Sequence, residues 1–284
     1  MGVSTTIANS VSPLEINSAM NSAISTRYSR YSGYCRRLQK PLLIWLLSFC
    51  AIFADSLAFG QSPSVSVSKV SPVSRVSGGA VKLKNDPSAV SIARLHYTGG
   101  GDWYWGSSSL PNLLDFVRDN TNWPVDTIEG RVAVSDAELF DYPFLFATGH
   151  GKMRFSDTDR ERLRSYLAAG GTLFINDSYG MAAGVREEIR HLYPDRELVE
   201  LPFSHPIYHS YYDFPNGAPK IHEHDNNPPQ GFAILLDGRV AIYFLIESDI
   251  GDGWEDPQVH HDPQEKRLAA LKMGVNLLAY ALTE

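Results

Sequence analysis

One stretch of this chain admits few folds. Phe144-Leu-Phe-Ala-Thr-Gly-His150-Gly is followed by Phe155-Ser-Asp-Thr-Asp, a helical run, Gly170-Gly171 and Thr172-Leu-Phe-Ile-Asn-Asp177. A short apolar run bounded by Pro143 and Gly149 suits a strand buried on both faces, as in a parallel sheet. Ser156 with Asp159 three residues on makes an acidic capping box, Leu163, Tyr166 and Leu167 supply one apolar helix face, and Gly170-Gly171 ends the helix. The run from Thr172 to Asn176 is again short and apolar, so the crossover returns to a parallel strand. His150 then sits just past one strand, and Asn176 and Asp177 just past the next. In open α/β sheets that edge is where ligands bind.

The termini are of another kind. Arg27, Arg30, Arg36, Arg37 and Lys40 lead into the uncharged apolar run Leu42 to Ala54, and small residues follow Asp55. A basic flank, a short apolar core and a small-residue exit read as a secretory signal over residues 1–60, with cleavage after Ala58 or Gly60. The run is short for a spanning helix, which needs about 20 apolar residues, and an uncleaved anchor is the alternative. Both versions export everything downstream, so the expected location is extracytoplasmic. Residues 61–90, rich in Ser, Val and Pro, read as a linker, and residues 91–284 as one folded domain.

Cys35 and Cys50 both lie in the leader, so the exported part has no disulfide, thiolate nucleophile or cysteine metal ligand. The leader carries a net charge of +3 within a total of −7, which leaves −10 downstream. Such acidity argues against nucleic acid or an anionic membrane surface as partner, and any membrane contact is through an uncleaved leader.

Within the domain, Ser91 to Tyr97 reads as a first strand, Ser109 as the cap of a helix, and Asp126 to Glu129 as a short second strand. A later helix carries Val185, Ile189 and Leu192. Strands alternating with helices argue for a doubly wound α/β sheet. Asp237-Gly238 between two apolar runs predicts an antiparallel hairpin added at the carboxyl end. A last helix from about Pro263 is expected to pack through Leu268, Val275, Leu278 and Leu282.

Several polar groups invite chemistry, each beside a plainer reading. The loop Gly99 to Gly106 precedes a helix, but its spacing misses the phosphate-binding patterns, so Trp103 and Trp105 line a substrate wall or a packing turn. His205-Pro-Ile-Tyr-His209 spaces two imidazoles as zinc ligands often are, although with Pro206 after the first the two need not share a face; His222, His224 and Asp225 follow. No cofactor is expected from this, and a divalent metal, if held, falls to His205 and His209. Asp249 to Asp256 concentrates carboxylates in a turn that is not an EF-hand, with Asp249 or Glu255 aimed at the edge carrying His150. Ser178 lacks the glycine of a nucleophile elbow. His150 as general base with Asp177 as its orienting carboxylate is the better catalytic pair, and a helix cap is the structural role open to Asp177.

At these residues the chain resembles a bacterial family, domain of unknown function 4159. The matching pieces are Phe146-Ala-Thr-Gly-His-Gly151, Phe155-Ser to Gly170-Gly-Thr-Leu-Phe-Ile-Asn-Asp177, Tyr193-Pro194, His205-Pro-Ile-Tyr208, Asp237-Gly-Arg239, Asp249-Ile-Gly to Trp254, and Gly274-Val-Asn276 before Tyr280-Ala281. The resemblance implies a flavodoxin-like sheet similar to class I glutamine amidotransferases, and it supplies no activity. Such amidotransferases use a cysteine at a strand-to-helix elbow, and none exists here after Cys50.

Three readings follow. The leading one is an exported amidotransferase-like module without the cysteine nucleophile that binds a small molecule, a glycan or a cell-envelope protein through Trp103, Trp105, His205 and Trp254. The second is a hydrolase using His150 with Asp177 or Asp249, with or without a metal. The third is a structural module with no pocket.

Overall fold

The structure is a computed structural model that describes residues 89–284 together with residues 20–24, 26 and 31. The expected leader core and most of the expected linker lie outside the described residues. Among the described residues, no helix is long and apolar enough to cross a membrane.

The chain forms a mixed α/β domain around a seven-stranded sheet in the order β2-β1-β3-β4-β7-β6-β5. The strands are β1 (Ile92–His96), β2 (Gly130–Ala133), β3 (Phe144–Ala147), β4 (Thr172–Asn176), β5 (Val199–Glu200), β6 (Gln230–Leu236) and β7 (Arg239–Ile246). Pairings from β2 through β7 are parallel, whereas β7-β6 and β6-β5 are antiparallel. The longer helices are α1 (Ser109–Asn120), α2 (Asp157–Ala168), α3 (Ala182–Leu192) and α6 (Gln264–Thr283), with one-turn α4 (Ile250–Gly253) and α5 (Pro257–His260) before the last.

Alternation along each strand divides the core into two layers. Ile92, Phe144, Phe146, Phe174 and Leu245 pack with α1 and α6 on one face, and Leu95, Leu145, Ile175 and Phe244 with α2 and α3 on the other. Burial of each such side chain contributes about 1.5–3 kcal/mol. Ile24 joins the first layer and Tyr31 the second.

The β3-α2-β4 unit forms as its pattern requires. Phe144 pairs with Thr172 in parallel register, the Ser156 hydroxyl accepts the Asp159 amide at 3.1 Å, and Gly170 closes the helix at φ 107°. Asp237 and Gly238, both at positive φ, turn the β6-β7 hairpin.

Three local expectations change. The second strand begins at Gly130 and not at Asp126, whose carboxylate is taken by the Ser91 hydroxyl. Ser109 is the first residue of its helix and not the cap; its hydroxyl donates to the Gly106 carbonyl at 2.7 Å. Leu268 is 40% exposed, and from Met273 to Leu282 every residue of α6 is buried. The reason is a second cover: besides the sheet, the segment around Pro206–Tyr208 and Tyr211 packs against the helix, with His205 on Tyr280 and the Tyr211 amide on Asn276.

Candidate functional site

β1, β3, β4 and β7 run parallel, so their carboxyl ends share one rim. Between β1 and β3 the strand order reverses, because β2 lies on one side of β1 and β3 on the other. The loops flanking that reversal carry Asp102 and His150. Asp102 Oδ2 lies 3.0 Å from His150 Nδ1, and Asp102 Oδ1 accepts the His150 backbone N–H. Burial pushes the Asp102 carboxyl up, but hydrogen bonds from the His150 backbone and ring outweigh it, so the group titrates below the ordinary carboxylate value. Close approach is allowed by Gly149, at φ 134°, where a Cβ would meet Asp102 Oδ1 and Tyr97 Oη at 2.7 Å each. An ionised Asp102 requires the proton on Nδ1, which leaves the lone pair of neutral His150 on Nε2, and the side chain is 39% exposed.

Arg94 holds the loop that bears Asp102. Buried in β1, its guanidinium donates to the carbonyls of Trp105 at 2.6 Å and Gly106 at 2.8 Å and pairs with Glu129 at 3.2 Å. The glycine-rich segment is therefore a packed turn with aromatic side chains on the rim. Trp103 lies against His96 at a 34° tilt with centroids 4.4 Å apart, and Trp105 meets His150 edge-on at 4.7 Å. Trp105 Nε1 also donates to Asp252 Oδ1 at 2.9 Å, which ties the His150 side of the rim to a second cluster.

That cluster gathers residues far apart in the chain. His222 Nδ1 lies 3.0 Å from Asp249 Oδ2, its Nε2 lies 3.1 Å from Asp262, and His224 Nε2 lies 3.4 Å from Asp249 Oδ2. His260 Nε2 is 2.8 Å from Glu255 Oε2 and 3.4 Å from Asp252 Oδ2. The hydrogen bond to Asp249 raises His222 to about 9 against the opposing effect of burial. Burial, with the Asp249 charge beside it, lifts Asp252 to about 7. Asp249 is pushed the other way: burial opposes, but hydrogen bonds from His222 and His224 hold it well below the ordinary value. Glu247 and Asp249 both adopt left-handed φ, 58° and 61°, a backbone cost of order 1 kcal/mol each that the surrounding contacts sustain.

The expected residues therefore separate. His150, Asp177 and Asp249 all follow strands ending at this rim, but neither carboxylate is the partner of His150. Asp177 accepts the amides of Tyr179, Met181 and Ala182 at 3.0, 2.8 and 3.1 Å, which caps the start of α3. Asp249 is engaged by His222, His224 and Asn176. Asn176, fully buried, joins the strand ends through Thr148, Ser178 and Asp249. Trp103 and Trp105 lie at the rim, whereas Trp254 is buried in the core with its indole on the Ala270 carbonyl.

His205 and His209 do not come together with the rim. His205 packs on Tyr280, near the end of α6, and accepts the Ile207 amide; His209 engages Asp213 and the Phe203 carbonyl. Proline between them starts a short 3-10 turn in which each ring serves its own local backbone. Asp102, His260 and Asp262 escaped the sequence reading. Asp102 lay within the glycine-rich loop already singled out, which was the available signal; nothing local marks the other two. Two surface hollows, one around Arg164 and Tyr193 and one around Asp237, Arg239 and Glu284, lie away from these clusters.

Fold and site together define a mixed α/β domain with a histidine- and carboxylate-rich rim. The family model described as Domain of unknown function (DUF4159) matches residues 91–282, and the chain belongs to that family. No curated protein matches it.

Proposed function

We propose that this is an exported, flavodoxin-like hydrolase that binds a glycan or other small polar substrate at the rim and uses His150 as general base. The observation that carries the reading is the His150–Asp102 pair at the strand reversal. Asp102 fixes the tautomer and orientation of the ring, and the accessible Nε2 takes a proton from water as the water oxygen bonds to the electrophilic carbon. As the tetrahedral intermediate collapses and the bond from that carbon to the leaving oxygen or nitrogen breaks, the same nitrogen returns the proton to the leaving group, a single-histidine route that fits an ester or amide bond carried on a glycan or other polar substrate and not the glycosidic bond itself. Trp103 and Trp105, with Tyr104 at 63% and Tyr179 at 52% exposure, offer aromatic faces of the kind on which sugar rings stack. The order β2-β1-β3-β4-β7 parallels the flavodoxin order and supports that fold, with β6 and β5 as an antiparallel extension. Cysteine-dependent glutaminase chemistry is absent from the proposal because residues 91–284 contain no cysteine.

The test is a panel of glycan, ester and amide substrates offered to the full-length protein, His150→Ala and Asp102→Asn. Turnover that falls about 10²- to 10⁴-fold in His150→Ala supports the reading, and equal turnover removes His150 from it. A second reading, binding without chemistry, is favoured by the aromatic side chains Trp103 and Tyr104 on the rim, against which a ligand can pack with no proton transfer. A wild-type protein that retains a glycan but converts nothing in the panel selects it.

Export rests on the charge and hydropathy of residues 27–60. The packing of Ile24 and Tyr31 into the domain counts against both forms of export, because an anchor would hold them across the membrane from the domain and cleavage after Ala58 or Gly60 would remove them. Fractionation with amino-terminal sequencing decides: a mature chain beginning shortly after Ala58 or Gly60 upholds export, and an intact cytoplasmic chain ends it.

A further inference from the structure

We propose that His222, Asp252 and His260 bind a divalent transition-metal ion with zinc-like ligand preference, at a site beside His150. One ligand atom from each of the three residues lies within 4.8 Å of the others. They come from three separate segments: the loop before β6, α4 and the end of α5.

Asp252 is placed for this role. Its Oδ1 is held by the Trp105 indole, and its Oδ2 faces His222 Nδ1 at 3.7 Å and His260 Nε2 at 3.4 Å. Those separations are long for hydrogen bonds but near the edge of a ligand tetrahedron, which is about 3.3 Å when the metal bonds are about 2.05 Å. Asp249 Oδ2, 3.0 Å from His222 Nδ1, and Glu255 Oε2, 2.8 Å from His260 Nε2, stand next to the same nitrogens as further oxygen donors. Two imidazoles with carboxylates form a borderline donor set that suits zinc and its neighbours and not the all-oxygen shell preferred by calcium or magnesium.

The outer shell has the form metal sites use. Asp262 lies 3.1 Å from His222 Nε2 and would fix the ring with Nδ1 turned toward the ion. The charge balance points the same way. The side chains of Asp249, Asp252, Glu255 and Asp262 are 3%, 6%, 6% and 8% exposed, so four carboxylates share one small volume with three imidazoles. His222 and His260 are 27% and 19% exposed, which leaves an open side for ion entry and an exchangeable position.

The readout is binding, so the inference stands apart from turnover. Full-length protein purified without chelator is assayed for bound metal, then stripped and titrated with cobalt(II), followed by its visible absorption. About one equivalent bound, with the intense bands of a low-coordinate nitrogen and oxygen site, is expected. Asp252→Asn and His260→Gln should each weaken binding at least 100-fold, Asp262→Asn about 10- to 100-fold, and His205→Ala with His209→Ala should bind as wild type. Less than about a tenth of an equivalent together with no cobalt spectrum overturns the site, as does unchanged affinity in the Asp252→Asn, His260→Gln double variant. If a variant fails to fold by circular dichroism, the wild-type cobalt spectrum decides. Metal binding without turnover upholds the site and counts against the hydrolase; turnover in a protein that binds no metal does the reverse.

Discussion

Asn276 lies fully buried in α6, with its side-chain amide engaged at both ends. Its Oδ1 accepts the amides of Tyr211 and Tyr212 at 3.1 and 2.7 Å, and its Nδ2 donates to the Tyr212 carbonyl at 2.7 Å. Asn276→Leu removes those three buried hydrogen bonds and should cost about 2–4 kcal/mol, measured by urea denaturation. A loss under about 0.5 kcal/mol would mean water replaces the side chain. Asp177 is predicted to be a cap and not a base. Asp177→Ala should destabilise by about 1–2 kcal/mol, whereas Asp177→Asn melts close to wild type and retains any turnover that depends on His150. Loss of that turnover in a stable Asp177→Asn protein would return the residue to catalysis. The cap was open in the sequence, since an aspartate just before a helical run has that use. The Asp102 partnership was not, because nothing at residue 102 records which carboxylate of a distant loop reaches His150.

At the scale of elements, two buried ion pairs hold the layers in place. Arg94 joins β1 to the loop before α1 and to Glu129, with side chains 1% and 6% exposed. Arg94→Met takes the donor from the Trp105 carbonyl and one of two arginine partners from Glu129, which keeps Arg131 at 3.1 Å, while the Gly106 carbonyl keeps Ser109. It should cost about 2–3 kcal/mol in thermal or urea unfolding. It should also quench or shift Trp105 fluorescence relative to a Glu129→Gln control. On the other face, Glu188 of α3, 1% exposed, receives Arg160 of α2 at 2.6 Å. The strands and helices themselves follow from period and punctuation: β3, α2, β4 and the β6-β7 hairpin stand where apolar runs, Ser156, Gly170 and Asp237-Gly238 put them. The misread elements have tertiary causes. Asp126 binds Ser91 where a strand was expected, and α6 is buried all round because the segment near Tyr211 covers it, which no single-face pattern in the helix can show.

For the molecule as a whole, the rim couples stability to pH through Asp102. Its carboxyl titrates below the ordinary value of 3.8, so the stability from its hydrogen bonds with His150 is present above that value and is lost as pH falls through the depressed folded one. The Asp102 side chain is 27% exposed and its partner His150 more so, so solvent screening holds the contribution to about 1 kcal/mol. Melting temperatures of wild type and Asp102→Asn should differ by a constant amount down to the ordinary carboxylate range and converge below it. A gap that persists at about pH 2 would assign the difference to packing. Taken alone, the residue order determined that parallel strands finish on one edge and that His150, Asp177 and Asp249 arrive there, because strand period and crossover geometry are local rules. Only the tertiary structure decided that Asp102 serves His150, that Asp177 caps a helix, that His222, Asp252 and His260 converge, and that His205 and His209 engage local partners. Those pairings depend on distances of a few ångströms between loops far apart in the chain, and such distances are set by how the sheet and its helices pack.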